Sequence, residues 1–288
     1  MVLATVLFAC MGVCVKLASE HFGTAAVVSA RGLVGAVLMA AIAWRTGTGL
    51  RTSVPRLHLQ RGLAGVVALS LWFHAIGQLP LATAVTLNYM SSVWMAVFLL
   101  MRAAFGGGQR VKPALVWAIA IGFLGVALVL RPTLARDQLL AGLVGLGSGV
   151  LAAMAYVQVT ALGRAGEPEV RVVFWFSVTG TLMGALMGAL TWLLPEQGNR
   201  TPLAQIPLSA WVELLGVGAF ATLAQLLMTR AYARGAMLSL ASLQYLGIVH
   251  AALFGALLFG ESLGLDSLLG MALIVAAGVA ATRWRTAQ

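Results

Sequence analysis

The sequence predicts an all-α integral membrane protein in which ten transmembrane helices form two inverted five-helix repeats. Three observations predict it. Hydrophobic residues make up 61% of the 288 residues and charged residues only 9%, where a soluble domain carries about 25% charged residues. Ten continuously apolar stretches fill nearly the whole chain, each close to the roughly 20 residues that cross a 30 Å hydrocarbon core. The second five stretches echo the first five.

The expected spans are Val2–Ser19, Thr24–Trp44, Gly62–Leu79, Ala82–Met101, Pro113–Leu130, Leu139–Leu162, Val172–Leu194, Leu208–Arg230, Met237–Phe259 and Leu265–Thr282. Barrel strands would alternate in polarity, and these stretches do not. In lipid a continuous apolar run must bond its backbone within itself, so each is helical. The chain opens on Val2-Leu3-Ala4 with no charged leader or small-residue cleavage site, so the first stretch reads as a transmembrane helix and not a cleaved signal.

A net charge of +10 raises nucleic acid as a partner, but the basic residues are scattered over short loops, which excludes a binding face. Their distribution instead sets orientation. With the N-terminus in the cytoplasm, the cytoplasmic side carries Arg45, Arg51, Arg56, Arg61, Arg102, Arg110, Lys112, Arg164, Arg171, Arg230, Arg234, Arg283 and Arg285. The other side carries only Arg131, Arg136 and Arg200. Both termini are therefore expected in the cytoplasm of a bacterial inner membrane. Cys10 and Cys14 share one helical face without further ligands beside them, and read as small membrane-helix residues.

The repeat is legible by eye. At a constant offset of 156, Thr83 pairs with Ser239, Thr86 with Ser242, Leu87 with Leu243, Asn88 with Gln244 and Tyr89 with Tyr245. Gly125-Val-Ala matches Gly278-Val-Ala at offset 153, the difference falling in the loop around Gly106–Gly108. The halves are residues 1–131 and 139–285, joined through the loop Arg131–Gln138. An odd number of spans per half turns the second copy upside down.

Two five-helix repeats with Lys16 late in the first helix, Arg31 in Ser29-Ala-Arg-Gly-Leu, and the entry Leu79-Pro-Leu-Ala-Thr-Ala resemble the EamA family of the drug/metabolite transporter superfamily, including its YddG-type amino-acid exporters. The resemblance covers essentially the whole chain. It implies a ten-helix basket whose central cavity is lined mainly by helices one, three, four, six, eight and nine. It also implies secondary transport by alternating access, with no cofactor, no catalytic residue and no resident metal.

Candidate substrate contacts follow from placing polar and aromatic residues on those helices. Asn88, Tyr89, Gln244 and Tyr245 are symmetry mates, and an unpaired amide in hydrocarbon costs several kcal/mol, so each needs partners or water. They read either as a neutral hydrogen-bonding cavity wall or as glue between helices. Met90, Trp72, Trp94 and Tyr156 suit an apolar or aromatic moiety, and Gln158 and Gln225 add amides. His74 and His250 can titrate near neutrality, although a lone histidine is more often a packing residue. His74 is the first candidate for proton coupling. Lys16 and Arg31 are the most expensive residues to embed. They read as an electrostatic lure for a carboxylate or, with more weight, as structural cations tied to carbonyls or acids such as Glu20.

The Gly180-x-x-x-Gly184-x-x-x-Gly188 run permits close helix approach, within one monomer in preference to a dimer. Helix one lacks the buried acid that small multidrug antiporters use, and no P-loop, HExxH or GxSxG motif occurs. The expected substrate is an amino acid or a similar small metabolite, exported. A carrier for a larger molecule of the riboflavin, nucleoside or metallophore type is the alternative. An integral-membrane enzyme on lipid-linked substrates and a purely structural subunit are remote, since the acids are dispersed and the interior polar residues are symmetry-matched.

Overall fold

A computed structural model describes residues 1–105, 113–130, 136–193, 206–234 and 243–285. Every regular element among them is an α-helix: α1 (Val2–Ala18), α2 (Thr24–Thr46), α3 (Pro55–Gln78), α4 (Leu81–Tyr89), α5 (Ser91–Phe105), α6 (Pro113–Leu130), α7 (Arg136–Arg164), α8 (Glu169–Leu193), α9 (Leu208–Arg234), α10 (Leu246–Phe259) and α11 (Leu265–Arg285). α4 and α5 are halves of one span, so these eleven elements make ten crossings. α2, α3, α7, α8 and α9 are each long and apolar enough to cross a bilayer alone. Leu33, Val37, Leu182, Leu186, Leu190 and Leu257 point outward, a surface that only lipid tolerates. The chain is a multi-pass membrane protein.

The packing respects exchange of the two halves. α2 packs on its counterpart α8, α6 on α11, and α4 on α10, while α3 on α7 is mirrored by α1 on α9. Close approach is written in small residues. A Cβ on Gly32 would stand 2.4 Å from the backbone nitrogen of Thr181, and one on Gly184 2.6 Å from that of Ser29. The glycine run of α8 thus seats α2 within the monomer. At the α6–α11 crossing, Gly125 and Gly270 face each other's carbonyl oxygens.

Two span readings are corrected. Helix three begins at Pro55 and not Gly62, because proline at the first helical position is pre-shaped for helix and its missing N–H is not needed there. The span expected as Ala82–Met101 is interrupted at Met90, and a matching turn falls at Tyr245 before α10. Neither turn residue is a proline or glycine; the first directly follows Asn88-Tyr89, and the second falls on Tyr245 of the repeat-mate pair Gln244-Tyr245. Readings on Gly106–Gly108, Arg110, Lys112, Arg131, Arg200, Ser239 and Ser242 lie outside the described residues.

Candidate functional site

The interior holds two adjoining cavities of about 60 and 20 Å³. They share Phe8, Trp72, Asn88 and Tyr156 and form one chamber. A buried water needs roughly 10–15 Å³, so the chamber has room for a handful of waters, and admitting a metabolite requires its walls to part. Both halves build it: Arg31, Arg61 and Asn88 come from the first, Phe176, Gln225 and Gln244 from the second. A larger groove of about 850 Å³ between α10 and α11 is lined by Ile248, Ala252, Met271 and similar residues. With no polar anchor, it suits hydrocarbon only.

Two arginines dominate the chamber. Arg31 on α2 and Arg61 on α3 are 3% and 4% exposed. Their guanidinium carbons lie 4.9 and 4.0 Å from the centroid of one ring, Phe176. A guanidinium over an aromatic face gains a cation–π attraction, but only of order 1–2 kcal/mol. Nε of both residues and Nη1 of Arg61 are buried without a hydrogen-bond partner, and neither arginine pairs with a carboxylate among the described residues. Gly65 makes the arrangement possible: a Cβ there would stand 1.8 Å from Arg61 Nη1 and 2.9 Å from Phe176.

Around them the expected residues divide. Asn88, Tyr89, Tyr156, Gln225 and Gln244 line the chamber. Asn88 donates to Ser148 Oγ at 3.0 Å, tying α4 to α7, and Tyr156 stacks on Tyr232 with ring centroids 5.8 Å apart. Met90, Trp94, Gln158, Tyr245 and His250 lie outside the lining. Met90 is fully buried packing, and Trp94 meets Phe123 edge-on at 5.2 Å. His74 faces outward from α3, because the buried stripe of that helix runs through His58, Arg61, Gly65, Leu69, Trp72 and Ile76.

Lys16 is not in the chamber. It pairs with Glu261, donates to the carbonyl of Leu79 at 3.0 Å and sits over the Phe259 ring. Its partner is Glu261 from the second half, not Glu20. Glu261 also accepts the N–H of Leu81 at 2.8 Å, capping the start of α4, where a carboxylate suits the helix dipole. This latch joins the halves at the face opposite the chain termini. A second tie joins them at the termini face. There Glu167 accepts from Thr52 Oγ1 at 2.8 Å and Arg171 at 3.2 Å and lies 3.0 Å from His58 Nε2. Arg171 and Trp175 also donate to the carbonyls of Gly49 and Leu50. Burial alone would raise the Glu167 carboxyl, but the hydrogen bonds from His58, Thr52 and Arg171 outweigh it and hold the group below the ordinary carboxylate range.

Arg61, His58, Glu167, Glu261 and Tyr232 were not singled out from the sequence. For Arg61 and His58 a signal existed: Pro55 marks a helix start, which places both on α3's buried stripe and not in a loop.

Residues 1–131 and again 139–282 match the EamA-like transporter family. The chain belongs to that family. Among similar proteins, a pseudopaline exporter of Pseudomonas aeruginosa is 31% identical over 98% of this chain and 94% of its own length. A riboflavin transporter of Vibrio cholerae is 27% identical over 82% of this chain and 74% of its own. A solved crystal structure with 20% identity superposes with a TM-score of 0.64, covering 97% of this chain and 96% of that one. That likeness shows a shared fold and says nothing of substrate.

Proposed function

We propose that this chain exports an amino acid or a similar small carboxylate-bearing metabolite from the cytoplasm, across the bacterial inner membrane, by alternating access. It acts as a monomer with both termini cytoplasmic. The observation that carries this reading is the narrow chamber walled jointly by both halves, with an inter-half tie at each face among the described residues. Rocking the halves breaks one tie while the other holds, so the chamber opens to one side at a time. The turns at Met90 and Tyr245, beside the chamber-lining residues Tyr89 and Gln244, are where the spans can bend.

Flux into and out of proteoliposomes tests it, using a panel of amino acids, nucleosides and riboflavin. Saturable flux of at least one amino acid is expected. Absence of flux for every amino acid rejects that substrate class. A second reading, a carrier for a larger metabolite, is favoured by the names of the relatives and by the aromatic lining of Phe8, Trp72, Tyr156 and Phe176. Riboflavin flux without amino-acid flux in the same assay would replace the first reading with the second.

A further inference from the structure

We propose that Arg31 and Arg61 form a dicarboxylate subsite, so that the transported species carries two carboxylates on a body with an apolar or aromatic face. The inference rests on the chamber being the substrate site and narrows what enters it. Both side chains are more than nine-tenths buried, both stack on Phe176, and three of their nitrogens lack partners. Two cations drawn to one ring repel each other and have each lost their hydration. A protein that merely needed a cation there would supply an acid, as this one does for Lys16.

The charge balance points to the ligand. One carboxylate neutralises one guanidinium and leaves the other buried and bare; two neutralise both. Each guanidinium presents a planar fork that matches a carboxylate bidentately. A single compact phosphate would call for several convergent backbone N–H groups and hydroxyls, whereas the rest of this lining is mainly apolar, with Phe8, Leu69, Trp72 and Met228 beside Phe176, and it offers the amides of Asn88 and Gln225 and the single hydroxyl of Tyr156. Those apolar walls hold the body of the molecule while the two forks hold its ends.

The test compares benzylsuccinate, a dicarboxylate with an aromatic ring, with 4-phenylbutyrate, which lacks one of its carboxylates. Inorganic phosphate serves as the third probe. Binding to the full chain in nanodiscs is measured at fixed ionic strength. Benzylsuccinate is expected to bind about ten-fold tighter than 4-phenylbutyrate, the size of one further charge-assisted contact, and phosphate weaker than both. In Arg31→Gln and Arg61→Gln the ratio falls to within about two-fold of unity. If either variant fails to fold, the wild-type ratio still decides. Equal affinities for the two organic acids, no binding of either, or phosphate binding as well as benzylsuccinate overturns the proposal. Flux separates this from the broader reading. Transport of neutral amino acids without dicarboxylate preference rejects the subsite alone, and preference without any flux rejects the transport role alone.

Discussion

Lys16 and Arg31 sit on consecutive helices and face the same penalty for charge in a bilayer, yet the fold treats them in opposite ways. Lys16 is surrounded by what a cation needs: the Glu261 carboxylate, the Leu79 carbonyl and the Phe259 ring. Arg31 has a ring that it shares with a second cation. A charge neutralised within the protein holds the structure together. A charge left bare in the interior is costly unless something arrives to neutralise it, which is the ground for proposing that Arg31 serves a ligand. The contrast also maps onto position, since the paired cation is at one face and the bare ones are in the chamber.

The largest effect should come from breaking the paired side. Glu261→Gln strands Lys16 and weakens the cap on α4, and unfolding in detergent should show a loss of about 3 kcal/mol. Lys16→Met combined with Glu261→Met should recover most of it, because the pair is removed together. Arg31→Gln and Arg61→Gln should behave in the reverse manner. Stability should hold or rise by about 1 kcal/mol as an uncompensated charge is relieved, while flux of a carboxylate substrate falls about ten-fold or more. A stability loss matching that of Glu261→Gln would make these arginines structural.

Gly65→Ala sharpens the same point without touching a charge. Its Cβ must displace the Arg61 guanidinium from beside Phe176. Affinity should fall several-fold, with a stability loss of about 1–3 kcal/mol, since the Phe176 ring must give way as well as the flexible end of Arg61. Gly147→Ala, where a Cβ meets nothing within 4 Å, is the matched control, with unchanged affinity.

The termini-face tie predicts a smaller, pH-dependent effect. Glu167 has a depressed folded pKa, so its contribution is complete above the ordinary carboxylate range and is lost as pH falls through the folded value. Hydrogen exchange around Gly49 and Leu50 should therefore accelerate in acid and not near neutrality. Glu167→Gln should remove that acid dependence. The smallest expected effect is that of His74→Gln. The side chain faces away from the chamber, so the pH profile of flux should not move; a shifted profile would restore His74 as a coupling group.

Much of this fold was legible because membrane helices announce themselves. Hydropathy placed the ten spans, and the constant offset linking Asn88 to Gln244 exposed the repeat. The chamber was less legible, for identifiable reasons. Arg61 follows a polar stretch from Pro55, and hydropathy alone discards such a stretch as loop although proline marks a helix start. The imidazole of His74 suggests a coupling group by its chemistry, whereas the helical phase through Arg61, Leu69, Trp72 and Ile76 turns it outward. The Lys16–Glu261 pair joins residues 245 positions apart, and no local pattern encodes such a contact. The turns at Met90 and Tyr245 carry no proline or glycine and left no mark.

A density map of the protein in lipid nanodiscs, soaked with benzylsuccinate, tests the central claim most directly. Ligand density bridging the Arg31 and Arg61 guanidiniums, with the ring of the ligand among Trp72 and Phe176, is the predicted result. A chamber empty of ligand, with each arginine satisfied by a protein carboxylate or a lipid phosphate, would contradict it.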